Sequence, residues 1–261
     1  MTKDYCDVAV NTDIKILGFS DHGPLPNSFY NLGDGYDESR MDFEVLKNEY
    51  LPDFEKSKEE FKDELILEKG LEMEYVPGHD DYYQNLLDYV DYLILGEHWI
   101  KDPFNDSGRL YYSKLDYSNV MYYAKDVEKA LDSKLFKIIA HPDIFLSNYV
   151  SKNGIMRELD EEAYKAMELI VDACVRNDCL IEFNLNGITR GKYYNKYNDS
   201  FDYTYPRIEF FDIVVKKGGK VIFGCDAHDP FRLNHNLLER GIIECIKLGI
   251  RPINIKDRWY V

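Results

Sequence analysis

Residues 92–98 read YLILGEH: four apolar positions, a glycine, then Glu97 and His98. A short run of aliphatic and aromatic side chains closed by glycine predicts a buried β-strand, with the polar residues just past its carboxyl end. The same construction recurs as ILGFSDH at 16–22, KIIAH at 137–141 and VIFGCDAH at 221–228, so four of the six histidines follow an apolar strand almost immediately. Further strand-like runs fall at 70–76 and 180–185, and the first begins near Ile14. Helix-like stretches at 42–64, 118–133, 160–177, 207–217 and 236–248 lie between the strands. In the third of these Asp160 precedes Glu161, Glu162 and an apolar stripe, which marks a helix start, while Pro206 and Gly218-Gly219 bracket the fourth. Strands alternating with helices predict an α/β fold with a parallel sheet, and six strands with long connections favour a barrel over an open sheet. No repeat or linker divides the chain, so residues 1–261 read as one domain.

Charge and composition narrow the function classes. Lys plus Arg total 32 against 48 for Asp plus Glu, a net charge of −16 with a pI near 4.8. Such a surface argues against nucleic acid or an anionic membrane as the main partner, while leaving room for a basic pocket that takes one phosphate group. Hydrophobic residues at 45% describe a folding chain, yet no apolar run is long enough to cross a bilayer. The amino end, MTKDYCDVAVNTD, has no signal-like core, and five cysteines without CxxC spacing suit a reducing compartment. The expectation is a soluble cytoplasmic protein.

In α/β barrels the carboxyl ends of the strands converge on one face. His22, His98, His141 and His228 are thereby predicted to meet, although a single histidine after a strand is more often a loop or capping residue. In GLEMEY, Glu72 and Glu74 are two apart and share one face of a strand; in IEFNLNG the same holds for Glu182, Asn184 and Asn186. Imidazole and carboxylate together are usual ligands for zinc, manganese or iron, and a bound ion lowers the pKa of its water. Glu74 reads equally well as a solvated neighbour of Glu72. His79 and His235 lack the strand-end pattern and read as structural or surface residues. Cys225 reads as a small strand residue, and the 22 tyrosines as packing and surface usage.

FSDHGPL, GLEMEY, GEH, AHPD, EFNLNG and GCDAHDP occur in this order between residues 19 and 230. Together they resemble the PHP (polymerase and histidinol phosphatase) superfamily, and most of all its monofunctional histidinol-phosphate phosphatases. The resemblance implies a distorted (β/α)7 TIM-like barrel with two or three divalent ions, zinc, manganese or iron, at the strand ends. Carried over by motif, His22, Glu72, His98, His141, Asp226 and His228 are similar to metal ligands, with Glu72 as the bridging carboxylate. The implied reaction is hydrolysis of L-histidinol phosphate to L-histidinol and phosphate in histidine biosynthesis, on a small phosphorylated substrate. Arg190, in NGITRGK, matches a family loop arginine and suits a phosphate through its planar two-pronged donor; Arg157 and Lys101 are weaker candidates.

The family's first strand carries an HxH motif, and no histidine precedes His22 here. The resemblance therefore predicts a barrel without its first strand and with two exposed sheet edges. Of the ligand set, Glu72, His98 and His141 would form a complete three-ligand site, with His22 and His228 as part of a second and Asp226 left from a third. Two alternatives stay open: another PHP phosphoesterase acting on phosphotyrosine or nucleotides, and an impaired remnant that acts as a binding protein.

Overall fold

Parallel strands in a computed structural model, which describes residues 2–12, 14–30, 41–104, 108–196, 199–233, 235–253 and 258–260, carry the architecture. In chain order they are β1 (Ile16–His22), β2 (Ile66–Met73), β3 (Tyr92–Leu95), β4 (Ile138–Ile139), β5 (Leu180–Asn184), β6 (Val221–Gly224) and β7 (Arg258–Tyr260). Neighbours pair in the order β1-β7-β6-β5-β4-β3-β2, and the ring closes. The distorted TIM-like α/β barrel expected from the sequence is present. One part of that expectation needs correction: β7 lies between β6 and β1, pairing Arg258 with Ile16 and Tyr260 with Gly224. The sheet therefore closes instead of presenting two free edges, because a closed ring leaves no row of unpaired backbone groups at its rim.

Alternation along each strand sorts the side chains. On β3 all four residues are buried, as in a strand covered on both faces. Leu93 and Leu95 belong to the large core between barrel and helices, whereas Tyr92 and Ile94 join Ile138, Ala140 and Ile222 in a separate cluster inside the ring. On β2, Leu67, Leu71 and Met73 join the outer core, which by alternation turns Glu72 to the other face. Such a strand serves two layers, and polar residues at or just beyond the strand ends reach the barrel mouth.

Among the described residues, six helices of nine residues or more surround the strands: α1 (Thr2–Val10), α2 (Leu51–Glu60), α3 (Val120–Asp132), α4 (Glu161–Arg176), α5 (Ile208–Lys217) and α6 (His235–Lys247). The stripe Val120, Tyr123, Ala124, Val127 and Leu131 is the buried face of α3, at the helical spacing that lets one side pack on the sheet. The helix expected over 42–64 is broken up. A short turn, Phe43–Val45, leads into a π-helical turn, Leu46–Tyr50, in which Leu51 N–H reaches back five residues to the Leu46 carbonyl. Pro52, in the first turn of α2, has no N–H to continue the α pattern, and the wider turn absorbs that loss. Pro206 was expected to open the helix that is now α5; the first helical residue is instead Ile208, capped by Arg207. Among the described residues no helix is long and apolar enough to cross a membrane.

The start of α4 is a compact polar knot. Asp160 accepts hydrogen bonds from Ala163 N–H at 3.1 Å, Lys152 N–H at 2.7 Å and the Tyr149 hydroxyl at 2.6 Å. Burial alone would raise its pKa, but these donors outweigh burial and hold the carboxyl below its usual range. A depressed folded-state pKa stabilises the fold above the unfolded carboxyl value and ceases to do so as pH falls through the folded value. Asp160→Ala is therefore expected to lower unfolding free energy by about 1–2 kcal/mol at neutral pH. In urea melts at pH 7 and pH 3, the difference between variant and parent should shrink at the lower pH; a constant difference would contradict this role for the charge.

Candidate metal centre

The strand order brings the polar residues to one mouth of the barrel. His22 ends β1, Glu72 is next to last in β2, and Gly96-Glu97-His98 follow β3. His141 comes two residues after β4, and Asp226 and His228 follow β6. All six predicted ligands, together with Arg190, border one cleft of about 360 Å³.

Glu72 stands at the centre. Its carboxylate lies 3.3 Å from His141 Nε2, 3.7 Å from His98 Nε2 and 3.9 Å from His22 Nδ1. Ligand atoms of Glu72, His98 and His141 all fall within 4.8 Å of one another. Burial alone would raise the Glu72 pKa, but His22, His141 and His98 outweigh it and hold the carboxyl well below the usual range. Gly96 makes this position available, since a Cβ there would overlap the Glu72 side chain. Glu72 Oε1 is nevertheless buried without a hydrogen bond among the described residues, the nearest imidazole nitrogen being out of line for one. A buried carboxylate oxygen facing imidazole nitrogens is a donor set that fits a divalent cation.

The histidines are held from behind. His98 donates Nδ1–H to Glu74 at 2.9 Å, and its backbone N–H reaches the same carboxylate at 2.8 Å. A carboxylate only accepts, so Nδ1 carries the proton and Nε2 is left to face Glu72. Glu74 is fully buried. Its reading as a solvated neighbour is thus corrected: alternation puts it on the Glu72 face, and the His98 loop folds over it.

His141 is fixed through its backbone. Its N–H donates to Glu182 of β5, which also accepts from Asn184 Nδ2 at 3.0 Å. Gly224 gives Glu182 room, because a Cβ there would overlap that carboxylate. His141 has φ of +28° and Asp226 of +43°, a region that disfavours non-glycine residues and persists where surrounding structure enforces it. Burial disfavours a charged His141, but the nearby Glu72 carboxylate raises its pKa to about 9. The Glu182 carboxyl is pushed up to about 7 by burial.

On the β6 side, Asp226 accepts from Asn186 Nδ2 at 3.0 Å and lies 3.1 Å from His228 Nδ1. That ion-pair partner raises the pKa of the exposed His228 to about 9. Arg232, which the sequence reading did not single out, bonds the Asn186 side-chain oxygen. Arg190 is exposed at the rim, its guanidinium 5.1 Å from the Tyr205 ring centroid. Opposite, the hairpin Trp99–Lys101/Arg109–Tyr111 lines the cleft with Trp99 and Tyr111, whose rings sit 4.5 Å apart.

The weaker candidates lie elsewhere. Arg157 donates to the Ser147 carbonyl and stacks on Tyr193, and Lys101 is exposed at the end of its hairpin strand; neither borders the cleft. His79 pairs with Ser28, His235 opens α6, and Cys225 is buried with its thiol pKa raised by burial. The aromatic wall and Arg232 carry no signal at the level of single motifs. Their spacing relative to the histidines exists only once the loops are folded.

Comparison with known proteins places this geometry in context. The model of the PHP domain matches residues 1–186. A Deinococcus radiodurans protein named a probable histidinol-phosphatase is 25% identical over 263 residues, covering 98% of this chain and 90% of that protein. Among solved structures, the hisK product of Listeria monocytogenes is similar with a TM-score of 0.68 and 15% identity, covering 89% of this chain and 91% of that one. A histidinol phosphate phosphatase of Lactococcus lactis, solved with zinc, L-histidinol and phosphate, gives a TM-score of 0.64 and 16% identity over 97% of this chain and 89% of that one.

The backing of His98 by Glu74 is open to test by metal titration. Glu74→Gln removes the charge behind the imidazole and is expected to weaken zinc or manganese binding by about 10–100-fold in chelator competition. Gly96→Ala, by displacing the Glu72 carboxylate, should reduce metal binding at least as much. Unchanged affinity in both variants would remove Glu72 and His98 from the centre.

Proposed function

The chain belongs to the PHP domain family, and from that membership we propose that it is a metal-dependent phosphomonoesterase hydrolysing L-histidinol phosphate to L-histidinol and phosphate. The observation that carries this reading is the convergence of Glu72, His98 and His141 on one point of an open cleft, with Glu72 Oε1 lacking a hydrogen-bond partner among the described residues. The named relatives supply the substrate, a small phosphorylated amino alcohol that suits a cleft of about 360 Å³. Residues 1–261 are read as one domain devoted to this site.

The ligand assignments are His22, Glu72, His98, His141, Asp226 and His228, for zinc, manganese or iron. A divalent ion held there supplies Lewis-acid polarisation of a phosphoryl oxygen and a water acidified towards neutral pH. Glu74 holds the proton on His98 Nδ1 and so keeps Nε2 free as a donor atom. Glu182 fixes the backbone of His141. Arg190 at the rim orients the phosphate by its two-pronged donor, and Trp99 and Tyr111 form an aromatic wall of the same cleft. The net charge of −16 disfavours a polynucleotide substrate for the same cleft.

Purified protein supplied with zinc or manganese is expected to release phosphate from L-histidinol phosphate, with little release from phosphotyrosine peptide or an oligonucleotide. EDTA should abolish the activity and added metal restore it, while Glu72→Gln should lower kcat by about 100-fold or more, a loss of several kcal/mol of charge stabilisation. Turnover that survives complete metal removal, or none with any divalent ion, would overturn the assignment.

A further inference from the structure

Glu74 and Glu182 brace the half of the cleft that holds Glu72, His98 and His141. The half that follows β6 is braced from the other end of the chain. The Tyr5 hydroxyl of α1 donates to the Ala227 carbonyl at 2.7 Å, across 222 positions of sequence. Ala227 is buried and stands between Asp226 and His228, both of which border the cleft. Its carbonyl belongs to the planar peptide unit that joins it to His228, so holding that oxygen fixes the direction in which the backbone enters His228. Asp226, one residue earlier, has φ of +43° and accepts from Asn186 Nδ2 at 3.0 Å. The loop is therefore pinned twice, by Asn186 through a side chain and by Tyr5 through the backbone.

Tyr5 is itself a fixed point. Its ring meets Phe19 of β1 edge-on at 6.0 Å, and Phe19 meets Phe54 of α2 in the same way at 5.9 Å. Cys6 and Ala9 of α1 are fully buried, Thr2 N–H donates to Asp53 of α2 at 2.8 Å, and Lys3 pairs with Glu60. So fastened to β1 and α2, α1 also lies against the turn Pro230–Arg232 that follows the loop. A phenylalanine would keep the aromatic stacking. What the hydroxyl adds is the bond to the loop. A buried carbonyl deprived of its donor is costly, and a backbone held at positive φ relaxes when its restraints are removed.

We propose that Tyr5 is a positioning residue of the metal centre, setting through the Ala227 carbonyl the backbone from which Asp226 and His228 present their side chains to a divalent ion. The proposal rests on the assignment of Asp226 and His228 as ligands. It leaves the Glu72, His98 and His141 group untouched, because Glu74 and Glu182 hold that group independently.

The test uses the full chain and two measurements on Tyr5→Phe, which removes one oxygen and keeps the ring. In hydrogen exchange of the metal-free protein, amides of residues 225–229 should exchange about 10-fold faster than in the parent, the scale of one lost hydrogen bond, while those of 96–98 and 141–143 keep their rates. In zinc titration by chelator competition, the parent should take up a tight ion and a weaker one. Tyr5→Phe should weaken the second by about 10-fold and spare the first. Glu74→Gln, which acts on His98, should weaken the first ion, so the two variants separate the two halves of the cleft. Unchanged exchange at 225–229, or parental affinity for the second ion, overturns the proposal. Faster exchange throughout the chain, with both ions weakened alike, assigns Tyr5 to general stability and also overturns it. A parent that binds one ion only, unaffected by Tyr5→Phe, removes the positioning role but leaves a metal-dependent hydrolase standing. A parent that binds no divalent ion removes both.

Discussion

A carboxylate buried in the mouth of a barrel has to be neutralised, and the charge of Glu72 organises this molecule. Three imidazoles from three other strand ends approach it, and their attraction outweighs the cost of its burial. Glu72 Oε1 nevertheless makes no hydrogen bond among the described residues. A site so arranged holds a concentrated negative charge among nitrogen donors, which is the local condition for binding a divalent cation. The supporting residues follow from that requirement: Gly96 clears space for the carboxylate, Glu74 turns His98 towards it, and Glu182 fixes the backbone of His141.

The barrel is what makes this concentration affordable in stability. Alternate side chains of strands such as β3 enter two apolar layers, and the residues that border the cleft come from the strand ends or just beyond them. Two positive φ values also fall beside the cleft, at His141 and Asp226, which are tied down by hydrogen bonds to Glu182 of β5 and to Asn186 just after it. Rigid strands below and fixed loops above keep the donors in place. A preorganised donor set of this kind loses little freedom when a ligand arrives.

Much of this was legible without coordinates. YLILGEH and its three counterparts identify strand ends by local composition, and a barrel fold brings strand ends together whatever the loops do. Glu72 and Glu74 share a face by simple alternation, so the position of Glu74 could be foreseen, but its burial could not. Solvation depends on what folds over a residue, and the His98 loop does that here. β7 was not anticipated because a three-residue strand has too little sequence pattern to stand out; only its pairing with β1 and β6 identifies it. Pro52 does signal a break in the helical pattern, but not that a π-helical turn would absorb it.

By itself, then, the order of residues determined which side chains stand at the strand ends and on which face of a strand each carboxylate lies, since both follow from a period of two and from short apolar runs. Only the tertiary structure decided which of them share a charge, which are sealed from water and which are left without a partner. Those outcomes depend on distances of a few ångströms between residues far apart in the chain. Tyr205 illustrates the division: its sequence neighbourhood suggests nothing, and its burial beside Arg190 and the barrel mouth is a product of packing alone.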